Sequence, residues 1–92
     1  AGVAPHNPLG PISLAACIQL DASIPNFLAQ EHTTLGEGYL KDPFILRDGY
    51  VDIPTRPGLG IELDEDLLED KIDHDWRNPE SYHPDDGSVA DW

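Results

Sequence analysis

One imidazole and one carboxylate occupy matching places in a part of the sequence that carries almost no charge. Residues 1–40 contain three acidic residues and no Lys or Arg, whereas 15 acidic and all five basic residues follow. His6 and Glu31 each come directly after a short stretch that reads as the end of a strand. Burying an ionisable side chain costs desolvation energy, so its presence in such a stretch favours a chemical role.

Proton transfer and stabilisation of negative charge are the chemistry open to this pair. A histidine can take or give a proton near neutral pH. A glutamate beside it can orient the imidazole, or it can donate a hydrogen bond to an oxygen that gains charge, for which it must be protonated. From spacing alone an alternative stays open, in which His6 is a satisfied loop histidine and Glu31 is a capping or salt-bridging residue.

A strand, a helix and a second strand are needed to position the two side chains. Residues 3–4 read as the end of the first strand, and the prolines on both sides of His6 exclude a helix there. Residues 11–21 predict a helix that begins with Pro, and residues 27–30 predict a short buried strand. If the strands are parallel neighbours, the side chains of His6 and Glu31 leave the same edge, with their backbones about 5 Å apart. A (β/α)₈ barrel carries its active site at that edge.

Smaller elements are predicted after residue 40. Residues 43–54 read as a hairpin with an Asp-Gly turn. Asp64 is a suitable N-cap for a short helix that begins with acidic residues, which the helix dipole favours. After Ile72 the chain is polar and contains Pro, so we expect it to be extended, with Trp92 packing at its end.

The remaining chemistry-bearing residues form no recognisable site. Three further histidines lack metal-ligand spacing and are expected at the surface: His32, His74 and His83. The acidic run at residues 62–66 lacks the alternating ligands and central Gly of a calcium loop, and residues 58–60 lack the third Gly of a dinucleotide fingerprint. Cys17 lies on the apolar side of the predicted helix and is expected to pack there as inert core.

Composition narrows the partners and the setting. The net charge of −13 argues against nucleic acid and anionic membrane as partners, since both require basic patches. No apolar run approaches the roughly 18 residues that span a membrane. A single cysteine cannot form an internal disulfide, which favours a reducing, cytoplasmic setting. The acidic surface has two explanations, adaptation to salt or ordinary variation in a tail.

The size of the chain indicates a piece of a longer protein. Its 92 residues allow one domain at most and would bury only about 60–65% of their unfolded surface. Nine Pro and eight Gly interrupt regular elements, and the sequence contains no Met.

Four segments match motifs of a known enzyme family in the right order. They are residues 4–12 (APHNPLGPI) with 14–17 (LAAC), residues 24–31 (IPNFLAQE), residues 57–65 (PGLGIELDE), and residues 75–79 (DWRNP) with 87–92 (GSVADW). The first two resemble the seventh-strand and eighth-strand segments of galactonate and gluconate dehydratases, in the mandelate racemase branch of the enolase superfamily. The third is similar to the segment that returns to the capping domain, and the last to the tail of the galactonate dehydratases.

This resemblance implies an α/β fold. The chain would be the C-terminal piece of an enolase-type (β/α)-barrel, with the end of strand 7, helix 7 and strand 8 in residues 1–35. Residues 36–92 would form a C-terminal segment that packs on an α+β capping domain. The chain would then supply about two of the eight strands of a barrel that takes about 250 residues.

The resemblance also implies a reaction. The proton α to the substrate carboxylate is removed and the β-hydroxyl leaves as water, which gives a 2-keto-3-deoxy sugar acid. His6 matches the acid/base histidine and Glu31 the carboxylate that stabilises the enolate-like transition state, so both would contact the substrate. A divalent metal, usually magnesium, binds the substrate carboxylate. In the family, the metal ligands lie upstream of this segment. So do a second catalytic histidine and the Asp that tunes the histidine matched by His6. This chain alone is therefore expected to hold no metal and to be inactive.

The expected partners follow from the same resemblance. They are the sugar-acid substrate, the rest of the barrel and its capping domain, and further copies of the full-length enzyme in a homo-oligomer. Galactonate dehydratases tend to have Cys at the position of Asn7. The loop at residues 32–43 partly resembles that of mannonate dehydratases. Both features are expected to border the substrate pocket. These departures leave the particular sugar acid open.

Two other functions stay open at this point. One is a racemase, or a dehydratase of another acid sugar, in the same superfamily. The other is a small acidic binding module without catalysis, which gives no reason for His6 and Glu31 to meet. A separation of more than about 10 Å between the two side chains would exceed hydrogen-bond reach and remove the basis of the enzyme.

Overall fold

The computed structural model describes residues 1–72 and 82–89. Its regular elements are helix α1 (Pro11–Ser23), strands β1 (Leu46–Arg47) and β2 (Tyr50–Val51), helix α2 (Glu65–Leu68) and a 3₁₀ turn (Glu69–Lys71). The motif at residues 75–79, the end of the tail motif at 90–92, His74 and the packing of Trp92 lie outside the described residues. None of the helices in the described ranges has the length and apolar character required to cross a bilayer.

Helix α1 begins at the predicted residue and runs two residues further than predicted. Pro11 occupies the first turn, where its missing N–H is not needed. The helix ends before Ile24, which is extended because it precedes a proline. Leu14 and Ile18 are buried, as the apolar spacing indicates, and Cys17 is half-buried rather than part of a closed core.

A parallel contact joins the segments on either side of α1. The N–H of Val3 donates to the carbonyl of Asn26 at 2.8 Å, and the N–H of Leu28 donates to the carbonyl of Val3 at 2.8 Å. The pairing amounts to one bridge, Val3 with Phe27, and not to two full strands. The predicted parallel neighbours are therefore present, in a shorter form than expected.

The prediction that residues 27–30 are buried is wrong for this chain. Phe27 is 41% exposed and Leu28 is 70% exposed. Both line an open groove whose far wall includes Leu14 and Ile18 of α1. A parallel strand is normally covered on both faces, and the described residues leave this groove unfilled.

The hairpin forms as the Asp-Gly pair predicts. Strands β1 and β2 pair antiparallel, with Leu46 opposite Val51. Asp48 and Gly49 have φ values of 50° and 82°, and positive φ at both turn residues is the type I′ geometry that matches strand twist.

Long-range contacts fold residues 36–42 against the segment that leads into α2. Leu40 bridges Leu63 antiparallel, and the N–H of Asp64 donates to the carbonyl of Tyr39 at 2.8 Å. Lys41 pairs with Glu62 at the surface, and the contact raises the pKa of Lys41 and lowers that of Glu62. The predicted N-cap is confirmed, since the carboxylate of Asp64 accepts from the backbone N–H of the third helical residue at 3.4 Å.

The expectation of an extended chain after Ile72 is wrong for residues 82–89. Tyr82 bridges Val89 antiparallel, and the N–H of His83 donates to the carbonyl of Ser88 at 2.8 Å. The Ser88 hydroxyl donates to Asp86 at 2.6 Å, and the bonds from Ser88 lower the pKa of the Asp86 carboxyl. Asp, Gly and Ser stabilise turns through such local bonds, and this overrides the extended reading.

The described residues enclose little core of their own. The buried apolar side chains are Leu14, Ala15, Ile18 and Leu40. The radius of gyration is 16.9 Å. A compact domain of this length would have a radius of gyration of about 12 Å. So small a core and so large a radius are what we expect of a segment that packs against further structure.

Helix α1 carries a buried carboxyl group, that of Asp21, which destabilises the helix when it is charged. Its side chain is buried near the C-terminal end of α1, its Oδ1 atom has no hydrogen-bond partner among the described residues, and burial raises the pKa of its carboxyl. The helix dipole also disfavours a negative charge at this end. We therefore expect Asp21→Asn to stabilise α1 at pH 7, measured as slower amide hydrogen exchange along the helix.

The pH dependence of this effect follows from the direction of the pKa shift. A carboxyl whose pKa is raised on folding stabilises α1 while it is protonated, and that contribution is lost as pH rises through the raised pKa. The difference between the two proteins should therefore shrink as pH falls from the raised pKa of Asp21 to the ordinary Asp range, and it should be absent below that range. Asp66→Asn removes the same charge from exposed α2 and serves as the control. Equal exchange rates in Asp21→Asn and the parent at pH 7 would contradict the expectation.

Candidate active site

His6 and Glu31 meet where the two parallel-bridged segments end. The Nδ1 atom of His6 lies 2.8 Å from Oε2 of Glu31. The bridge between Val3 and Phe27 positions the pair, because His6 follows Val3 by three residues and Glu31 follows Phe27 by four. The predicted meeting of the two side chains at one edge is thus observed, while their roles stay predictions.

The Glu31 carboxylate is held at one oxygen and open at the other. Oε2 accepts a second hydrogen bond, from the backbone N–H of Asn7 at 2.6 Å. Oε1 has no hydrogen-bond partner within residues 1–72 and 82–89, and the side chain is 46% exposed. Because Oε2 accepts in either protonation state, a proton on the carboxyl group would reside on Oε1.

The imidazole of His6 presents its other nitrogen outward. Oε2 of Glu31 acts as an acceptor, so Nδ1 carries the hydrogen of their contact and Nε2 keeps its lone pair in the neutral ring. The His6 side chain is 80% exposed. The arrangement therefore offers one proton acceptor, Nε2, and one carboxyl oxygen, Oε1, to a molecule bound at this edge.

The loops that carry the pair are joined by further hydrogen bonds. The Gln30 amide donates to the carbonyl of Pro5 at 3.3 Å and to that of Glu31 at 2.7 Å. The Thr33 hydroxyl donates to the carbonyl of Leu9 at 3.0 Å. Sequence reasoning did not single out Gln30 or Thr33; the polar amide that ends an apolar run is the signal that could have identified Gln30.

Asn7 does not border the open side of the site, contrary to the expectation from the sequence. Its side chain is 1% exposed and turns toward α1, where Oδ1 accepts from the Ser13 hydroxyl at 2.6 Å. An amide in an aqueous loop would need no such partner, whereas a buried one does. Sequence reasoning also missed Ser13, whose hydroxyl lies on the first turn of the helix that follows.

Within residues 1–72 and 82–89, no hydrogen bond or ion pair joins the other residues considered for chemistry to His6 or Glu31. His32 and His83 are exposed, and the acidic run at residues 62–66 leads into α2 as predicted. In the part of the chain that the structure describes, no three His, Cys, Asp or Glu side chains come together as a metal site. These residues do not form a magnesium site by themselves.

Comparison with known proteins identifies the family. The model of the family described as enolase C-terminal domain-like matches residues 1–67. The chain belongs to the enolase C-terminal domain-like family. The predicted likeness to superfamily dehydratases is confirmed, since a D-galactonate dehydratase of Xanthomonas oryzae pv. oryzae is 44% identical over 99% of the chain and 27% of that relative. A D-galactonate dehydratase of Cronobacter sakazakii is 43% identical with the same coverage.

A solved structure extends the family match to the fold. An enolase from Agrobacterium radiobacter, provisionally assigned as a galactarate dehydratase and bound to sodium and L-malate, superposes with a TM-score of 0.75. It is 29% identical, with 97% of this chain and 27% of that chain covered. The α/β class predicted from the sequence is confirmed. This enolase-family chain spans 27% of the curated relatives named above and of the solved structure.

Proposed function

We propose that the chain is the C-terminal part of a metal-dependent dehydratase that removes water from an aldonic acid such as galactonate or gluconate. The product would be a 2-keto-3-deoxy sugar acid. The observation that carries the proposal is the 2.8 Å contact between His6 Nδ1 and Glu31 Oε2, in which both side chains remain partly exposed. The names of the relatives support the substrate class.

The proposed layout places residues 1–35 in the barrel and residues 36–92 in the segment that returns to the capping domain. The first range would contain the end of strand 7, helix 7 as α1, and strand 8. The parallel bridge of Val3 with Phe27 on either side of α1 supports this arrangement. The open apolar groove beside α1 also supports it, because the missing strands and helices of a barrel would cover such a surface.

His6 is proposed as the acid/base residue. Its Nε2 atom would accept the proton α to the substrate carboxylate, or return a proton to the β-hydroxyl as the C–O bond breaks and water leaves. The Nδ1 contact with Glu31 fixes the tautomer that leaves Nε2 unprotonated in the neutral ring. A base held in one tautomer and orientation needs little reorganisation when the proton moves.

Glu31 is proposed to stabilise the transition state through Oε1. Removing the α-proton builds negative charge on the substrate carboxylate oxygens, and a proton on Oε1 could be donated to one of them as a hydrogen bond. Asn7 N–H and His6 Nδ1 hold Oε2 in place, so the donor is oriented before the charge develops. A preorganised donor of this kind is effective because it does not have to reorient.

The cofactor and the assembly are proposed from the family resemblance. Magnesium would be bound by residues upstream of this segment, and the sodium and L-malate in the Agrobacterium structure support a site for a cation and a hydroxy acid. We call the longer chain of which these 92 residues would be the C-terminal part the complete enzyme. It is proposed to be a cytoplasmic homo-oligomer. The net charge of −13 supports a role without nucleic acid or membrane.

The test is turnover of acid sugars by the complete enzyme in D₂O. Galactonate, gluconate and galactarate would be incubated with and without Mg²⁺, with proton NMR following both the 2-keto-3-deoxy product and the substrate α-proton. Product formation from an aldonic acid is expected. Exchange of the α-proton for deuterium without loss of water would identify a racemase instead. Neither product nor exchange with any acid sugar, from a folded enzyme, would exclude the proposal.

A further inference from the structure

Asn7 joins the two sides of the candidate site to helix α1. Its backbone N–H donates to Oε2 of Glu31 at 2.6 Å, and its side-chain Oδ1 accepts from the hydroxyl of Ser13 at 2.6 Å. Oε2 is also the atom that His6 Nδ1 contacts at 2.8 Å. Asn7 therefore connects Ser13 of α1 to the Glu31 oxygen that contacts His6.

The connection is stiff for reasons that lie in the sequence. Pro8 restricts the preceding Asn7 to extended backbone, which limits the directions its N–H can take. Ser13 is the third residue of a 13-residue helix, so its hydroxyl is presented from a regular element and not from a loop. The Asn7 side chain is 1% exposed, which leaves it little room to adopt another rotamer.

We propose that Asn7, anchored by Ser13, is a positioning residue that fixes the plane of the Glu31 carboxylate, so that one oxygen is held by the Asn7 N–H and His6 Nδ1 while the other is left for the substrate. Resting on the proposed function, this assigns Oε2 to the His6 contact and Oε1 to the substrate. Without the anchor, the carboxylate can rotate out of this plane, and neither oxygen then keeps its place. The orientation of His6 then loosens as well, because its Nδ1 partner moves.

The amide of Asn7 is only partly satisfied, which distinguishes this role from simple packing. Its Nδ2 atom is buried and has no hydrogen-bond partner among the described residues. Buried polar groups are usually paired, and an apolar side chain of similar shape would fill the space without an unpaired donor. The one contact that the amide makes is from Ser13 to Oδ1, and it ties the loop that carries His6 to α1.

Ser13 offers the cleaner variant, because Asn7→Ala removes a buried side chain and risks misfolding. Ser13→Ala deletes only the hydroxyl that donates to Asn7. Ser13→Thr keeps a hydroxyl and should restore the contact. Ser23→Ala is the matched control, since the Ser23 hydroxyl donates to the carbonyl of Leu20 at the exposed far end of the same helix.

The first measurement is steady-state turnover by the complete enzyme. In Ser13→Ala, kcat is expected to fall roughly tenfold with little change in KM, because a small misplacement of a reacting group costs rate more than binding. Ser13→Thr should recover most of the lost kcat, and Ser23→Ala should match the parent. Asn7→Ala combined with Ser13→Ala should be no slower than Asn7→Ala alone, since both act through one contact.

The second measurement is independent of activity. Crystal structures of the complete enzyme and its Ser13→Ala variant would show whether one oxygen of Glu31 stays within hydrogen-bond distance of both the Asn7 N–H and His6 Nδ1. A rotated or doubly placed carboxylate in the variant alone supports the proposal. An unchanged Glu31 together with parental kcat overturns it. If no acid sugar is turned over, the proposed function fails, and the Glu31 geometry alone decides the role of Asn7.

Discussion

Replacing His6 with Asn in the complete enzyme is expected to lower kcat by roughly 10²- to 10⁴-fold, the range that general acid–base catalysis supplies. The Asn amide can still donate to Oε2 of Glu31, so the contact at 2.8 Å has a substitute. It cannot accept a proton at the place of Nε2. The drop in kcat therefore measures the loss of proton transfer, since the hydrogen bond to Glu31 is retained.

The fold should tolerate this change. The His6 side chain is 80% exposed, so the substitution removes few packing contacts. Thermal unfolding of the variant should match that of the parent, and kcat for the best acid sugar is the deciding measurement. His83→Asn is the control, because His83 is exposed in the turn at residues 82–89 and the structure shows only its backbone in hydrogen bonds. A kcat within tenfold of the parent would rule out His6 as the acid/base residue.

Features with local causes could be predicted from the sequence. Helix α1 starts at Pro11 because proline suits the first turn, and the type I′ turn follows from the Asp-Gly pair. Asp64 caps α2 through a contact with a residue three positions away. The meeting of His6 and Glu31 required one further assumption, that the strands on either side of α1 are parallel neighbours.

Features set by distant surfaces could not be predicted. The apolar run at residues 27–30 predicts burial, yet Phe27 and Leu28 are exposed because coverage depends on structure that the described residues do not supply. The pairing of Leu40 with Leu63 joins segments more than 20 residues apart, and no local pattern marks it. The position of Asn7 next to His6 predicts a place at the pocket, whereas the side chain of Asn7 points to Ser13 of α1.

Truncating Glu31 to Ala in the complete enzyme is expected to lower kcat by roughly 10²- to 10³-fold, which is the usual cost of removing one donor to a developing oxyanion. The variant loses Oε1 and also the acceptor at Oε2 that holds His6 and the Asn7 N–H. Because the variant leaves the Asn7 N–H without its acceptor, the unfolding temperature should fall slightly, and kcat is to be measured well below it. Glu69→Ala, which removes a carboxylate from an exposed turn, is the control.

Replacing Glu31 with Gln separates the hydrogen bonds of this side chain from its negative charge. The Gln oxygen can accept from the Asn7 N–H and His6 Nδ1, as Oε2 does, while its NH₂ group takes the place of Oε1 as a neutral donor. If Glu31 acts by donating to the substrate oxygen, Gln should recover about tenfold or more of the kcat that Ala loses, since a neutral donor remains in place. If the negative charge beside His6 were what matters, Gln would be as slow as Ala, because both lack it. Equal kcat values for the two variants, measured with the same acid sugar and with both enzymes folded, would therefore exclude transition-state donation by Glu31 and assign its effect to the negative charge beside His6.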